Sequence, residues 1–147
     1  MGDDTTSAGA EVWLGDVAIE TEVAPVIGVG QTAVSLPEAI TQTTFPVTLN
    51  HTSPLTTTVP YSLVAGTAVA GEDFVAHSGT LTFPPGNASQ NVQISLLPDG
   101  QFEPDETFSL QLTNGVNGVL GVDTAVFTIQ DDDAPGYVLY LPLITRP

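Results

Sequence analysis

The chain has 147 residues, no cysteine and a formal net charge of −16, with Arg146 as its one basic side chain apart from two histidines. That balance excludes disulfide scaffolds, zinc–thiolate sites and thiol catalysis. It also excludes a grip on nucleic-acid phosphates or on an anionic membrane surface, both of which need Lys and Arg. The length allows one domain with a core and some tail.

Residues 1–22 read as a polar linker or lead-in. Its later part alternates weakly through Val12, Leu14, Val17 and Ile19, with Trp13 among them. From residue 23 the pattern is regular. Val26–Val29 is a first strand, continued by Ala33–Leu36 after a break at Gly30. Thr43–Asn50 places Phe45, Val47 and Leu49 on one face, and Thr56–Val64 does so with Val59, Tyr61 and Leu63. Pro46 and Pro60 fall inside these runs, where each removes a ladder donor and so faces an edge or a bulge.

A Gly/Ala-rich loop, Ala65–His77, precedes a short strand that turns Leu81 and Phe83 inward. Pro84-Pro85-Gly86-Asn87 is a turn. Asn91–Leu97 alternates through Val92, Ile94 and Leu96, and Thr107–Thr113 through Phe108, Leu110 and Leu112. Between them lies an acidic loop, Asp99-Gly-Gln-Phe-Glu103-Pro-Asp105-Glu106. Asn114–Gly121 reads as a turn region. Thr124–Gln130, with Phe127 and Ile129 inward, is the last strand and runs into Asp131-Asp132-Asp133.

About seven short strands with turns between them and no helical segment predict an all-β fold, an immunoglobulin-like antiparallel β-sandwich. Loops of such a sandwich gather at its two ends. Counting alternate ends places the Ala65–His77 loop, the acidic loop and the end of the last strand together. No internal cation can neutralise that cluster, so a divalent cation is its natural partner. Carboxylates without His or Cys favour a hard ion such as Ca²⁺.

Four separated segments resemble the Calx-β family. This module was first recognised as the calcium-sensing part of sodium/calcium exchangers and later in many bacterial surface proteins. The segments are Gly66-Thr67-Ala68 with Ala70-Gly71-Glu72-Asp73-Phe74; Ser78-Gly79-Thr80-Leu81-Thr82-Phe83-Pro84-Pro85-Gly86; Asp99 through Leu110; and Phe127 through Asp133. The likeness covers about residues 23–134, the expected domain, and leaves 135–147 as an apolar tail. It implies a calcium site built from Asp73, Asp99, Glu103, Glu106, Asp131, Asp132 and Asp133, with a backbone carbonyl near Gln101. Asp105 falls between expected ligands and faces solvent. The chain departs from the pattern at Leu36, where binding members carry a Glu, and at Pro98, where they carry an acid. Glu38 replaces the first only if the Pro37 turn swings it inward.

The function implied is a non-enzymatic calcium-binding module of an extracellular or cell-surface bacterial protein, part of a longer exported chain. Calcium would rigidify one end, and the partners would be neighbouring domains or surface and matrix proteins. The alternatives are a calcium-independent spacer with a degenerate site and an accessory domain of a secreted enzyme. An EF-hand is excluded because alternate acids are missing after Asp99. A glycosidase pair lacks a sugar cleft. His51 and His77 are isolated. Asn50-His-Thr52 and Asn87-Ala-Ser89 are glycosylation sequons. Tyr137–Ile144, the longest apolar run, is too short to cross a bilayer. It reads as a sorting tail or as a terminal strand.

Overall fold

The computed structural model describes residues 23–135. The lead-in with Trp13 and the tail Tyr137–Ile144 lie outside them. Nine strands form in chain order: β1 (Val26–Val29), β2 (Ala33–Pro37), β3 (Gln42–Leu49), β4 (Thr57–Ala65), β5 (Ser78–Phe83), β6 (Ser89–Ser95), β7 (Glu106–Leu112), β8 (Val119–Leu120) and β9 (Thr124–Gln130). They make two sheets, one of five strands in the order β2-β9-β7-β4-β5 and one of four in the order β6-β3-β1-β8. Alternation drives this arrangement. Along β7, Phe108, Leu110 and Leu112 point into the sandwich and are buried, while Gln111 is exposed and Thr107 and Ser109 stay partly open.

The core is a column of aromatic rings. Phe108 stacks on Phe74 at 4.4 Å and on Phe127 at 5.0 Å, and Phe45 from the facing sheet meets Phe127 edge-on at 5.0 Å. Each such pair is worth about 0.5–1.5 kcal/mol beyond the area it buries. Phe74 comes from the long loop, so the column nails that loop to the sandwich.

The first strand differs from the expectation. Ala33–Pro37 does not continue Val26–Val29. The chain crosses between the sheets at Gly30–Thr32, leaving β1 against β3 and placing β2 parallel to β9. Parallel pairing also joins β1 to the two-residue β8, inside what reads from sequence as a turn. A strand of two residues has too few side chains to show a period. Every other pair is antiparallel.

Pro46 and Pro60 sit in interior strands, yet each occupies a local edge. Pro46 lies one residue beyond the last β1 pair, Val29↔Val47. Pro60 lies one beyond the last β7 pair, Tyr61↔Leu112, and its carbonyl accepts from Thr113 N–H at 3.0 Å. No ladder donor is missing where a neighbour has already ended. Tyr61, expected inward, is half-buried and packs edge-on against His77.

Candidate metal centre

β7 begins, and β2 and β9 end, at the same end of the sandwich, and three connections converge there. The Ala65–His77 loop is pinned from the start. Thr107 C=O accepts from both Gly66 N–H (3.0 Å) and Ala68 N–H (2.9 Å), and Thr107 N–H donates to Thr67 Oγ1 (2.8 Å). A Cβ on Gly66 would lie 2.6 Å from the Thr107 carbonyl oxygen, so only glycine allows this approach. Further on, Gly71 takes a left-handed φ of 91° and its N–H donates to Phe74 C=O. Asp73 Oδ2 accepts from Val69 N–H at 2.6 Å. Asp73 is thereby locked between a turn and the buried Phe74. Phe74 stacks on Phe108, two residues after Glu106. The aromatic column thus sets the spacing of Asp73 and Glu106.

The acidic loop is tied at both ends. Leu97 N–H donates to Asp73 C=O at 2.9 Å. Asp99 N–H donates to Glu38 Oε1 at 3.3 Å, and Asp99 Oδ1 accepts from Gln101 N–H at 2.7 Å. Asp131 Oδ1 accepts from Glu103 N–H at 3.1 Å, while Asp131 N–H donates to Asp105 Oδ1 at 3.2 Å. The last strand and the acidic loop therefore hold each other through two carboxylates.

Two carboxylate triads result. Oxygen atoms of Asp73, Glu103 and Glu106 lie within 4.8 Å of one another, and so do those of Glu38, Asp132 and Asp133. A small cleft between them is lined by Glu38, Asp73, Glu103, Glu106 and Asp131. A second, more open cavity shares Asp73, Glu103 and Glu106 with it and is also lined by Asp99 and Gln101. No Lys or Arg is present among the described residues.

The electrostatics follow. Glu103 is raised above its ordinary pKa by desolvation, then by the charges of Asp99, Asp73 and Glu106. Glu106 is raised by desolvation and by Asp73, against a lowering hydrogen bond from Glu103. Glu38 is raised by desolvation and by Asp133, Asp99 and Asp131, against the lowering bond from Asp99 N–H. Asp133 is raised by desolvation, then by Asp132 and Asp131. Asp133 Oδ2 is shielded and has no hydrogen-bond partner among the described residues.

Of the residues expected from sequence, Asp73, Glu103 and Glu106 meet in one triad and Asp132 and Asp133 in the other. Asp131 lies between them. Asp99 and Gln101 stand at the rim, with Gln101 exposed. Glu38 meets the condition set on the Pro37 turn, and Asp105 has a role that the sequence does not show. Glu38 completes the second triad because Pro37 ends β2 and Glu38 N–H donates to Gln130 C=O at 2.9 Å, which aims its side chain at the cluster. The signal was the acid two residues after Leu36. Asp105 is exposed, as expected, yet it positions Asp131.

A family model described as "Calx-beta domain" matches residues 20–133. The sodium/calcium exchanger Calx of Drosophila melanogaster is 45% identical over 80 residues, covering 53% of this chain and 8% of that protein. Extracellular matrix protein 3 of Lytechinus variegatus is 46% identical over 68 residues, covering 44% of this chain and 2% of the relative. The crystal structure of the apo-form Calx CBD1 domain superposes with a TM-score of 0.71 at 33% identity, covering 76% of this chain and 100% of that one. The chain therefore spans a small fraction of these full-length relatives and the whole of the solved domain. With the family model matching most of its length, the chain belongs to the Calx-beta domain family.

Proposed function

We propose that this domain binds calcium at its acidic end and that binding stiffens the loops gathered there. The observation that carries the reading is the pair of carboxylate triads, Asp73/Glu103/Glu106 and Glu38/Asp132/Asp133, in a described chain that has no Lys or Arg. Calcium takes about 6–8 oxygen ligands with tolerant geometry, and this donor set is oxygen throughout. Asp133 Oδ2, shielded and unpartnered among the described residues, is an acceptor that a cation would satisfy. Asp99 and Asp131 supply further oxygens from the rim and the middle, and the carbonyl near Gln101 another. The similarity to an exchanger named Calx and to its CBD1 domain supports the same reading.

The domain acts by binding rather than by catalysis. Its place is an extracellular or cell-surface protein of several domains, in an adhesive or spacing role. Similarity to an extracellular matrix protein supports that context. Among the described residues no helix is long and apolar enough to cross a membrane.

Calorimetric titration with calcium tests the site, comparing wild type with Glu106→Gln and with Asp132→Asn/Asp133→Asn. Each variant should lose heat and affinity by removing one triad. Equally weak binding by all three proteins would sink the assignment.

A further inference from the structure

The segment joining β7 to β8 contains two Asn-Gly pairs three residues apart, Asn114-Gly115 and Asn117-Gly118. Both glycines are imposed by packing. A Cβ on Gly115 would lie 2.5 Å from Thr58 O and 2.7 Å from Ile27 Cδ1. One on Gly118 would lie 2.7 Å from Ile27 Cδ1 and 2.9 Å from Thr57 Cγ2. The fold therefore forces a glycine after each asparagine, and glycine is the residue that least obstructs attack by its own nitrogen on the preceding side chain.

The two asparagines are held differently. Asn117 has a left-handed φ of 63°, its Nδ2 donates to Thr56 C=O at 2.8 Å, and its own carbonyl accepts from Thr57 Oγ1 at 3.2 Å. Its side chain is tethered to the Thr56 carbonyl, a bond that must break before the side chain can be attacked. Asn114 is exposed, has φ outside the left-handed region, and makes no side-chain hydrogen bond within the described residues. Gly115 N–H is likewise not engaged by a described backbone carbonyl.

We propose that Asn114 is a site of spontaneous deamidation and backbone isomerisation, and that Asn117 is protected from it. Gly115 N attacks Asn114 Cγ, the bond from Cγ to Nδ2 breaks, and ammonia leaves with the transferred proton. The resulting five-membered imide adds water at either carbonyl. One opening gives aspartate and the other isoaspartate, whose main chain is longer by one carbon. No oxidant or reductant enters. The added carbon falls one residue before Val116, which exchanges two backbone hydrogen bonds with Thr58, at 2.8 and 3.1 Å. The isoaspartyl product therefore loosens the end of the sandwich opposite the acids. It also adds a negative charge where, among the described acids, Asp123 stands alone.

The test is peptide mapping by mass spectrometry after incubating the full chain at mildly alkaline pH, beside a synthetic peptide spanning residues 110–122. The free peptide should convert at both positions at similar rates. The folded chain should convert Asn114 about tenfold faster than Asn117, the effect of one hydrogen bond of roughly 1.4 kcal/mol on a barrier. Asn114→Gln should abolish the product at 114 and leave position 117 unchanged. Equal or faster conversion at Asn117 in the folded chain, or conversion at neither, overturns the proposal.

Discussion

The two ends of this sandwich are built on opposite principles. At one end every described acid except Asp123 gathers, with Glu38, Asp73, Asp99, Asp105 and Asp131 each accepting from a backbone N–H and with the aromatic column beneath. At the other, glycines let the backbone close on Ile27 with no room to spare. The acidic end is under-determined: its like charges repel, and four carboxyls are pushed toward their protonated forms. The far end is over-determined by contact. A ligand therefore has much to change at the first end and little at the second.

Four measurements sharpen or break that contrast. The largest effect should come from Phe108→Ala, which empties the middle of the ring column beneath the acidic end. Loss of about 3–5 kcal/mol in denaturant unfolding is expected, with calcium response lost alongside because Asp73 is no longer anchored. Retention of full calcium binding would separate the core from the site. Next, calcium at a hundredfold excess over its dissociation constant should stabilise the domain by about 2.7 kcal/mol. Amide exchange should slow in the loops near Asp73, Asp99 and Asp131 and stay unchanged around Gly115. Uniform slowing would erase the distinction between the ends.

Gly115→Ala comes third. Overpacking against Thr58 and Ile27 should cost about 1–3 kcal/mol and leave the calcium-induced shift in melting temperature intact. The smallest effect concerns pH. Glu38, Glu103, Glu106 and Asp133 have raised pKa values, so the folded state binds their protons more tightly than the unfolded chain does. Calcium-free stability should then fall as pH rises from about 4.5, the ordinary Glu value, toward neutrality. Saturating calcium should reverse that slope, and Glu103→Gln should flatten it. A calcium-free melting temperature that instead climbs toward pH 7 would contradict the repulsion.

The strands and their inward faces were legible because one face of each is buried, which imposes alternation on residues such as Phe45, Val47 and Leu49. The acidic loops were legible because four motifs kept their order. Three features were not, and Glu38 was so only on a condition. The sheet switch at Gly30–Thr32 is set by which partner β2 finds, and β9 is remote in sequence. The two-residue β8 is too short to show a pattern. Glu38 depends on how a turn after Pro37 aims one side chain, and Asp105 on a hydrogen bond to a backbone N–H 26 residues away. Local pattern reports burial; it does not report which distant strand or loop lies alongside.

The parallel seam between β2 and β9 has a mechanical consequence. The described chain enters beside β1 at the glycine-packed end and leaves after β9 at the acidic end. Pulling those points apart drags β2 and β9 past each other lengthwise. The hydrogen bonds between Ala33–Pro37 and Val126–Gln130 then share the load together instead of opening one at a time. The sheet switch near Gly30, which breaks the expected first strand in two, is what places that shear joint across the line of tension.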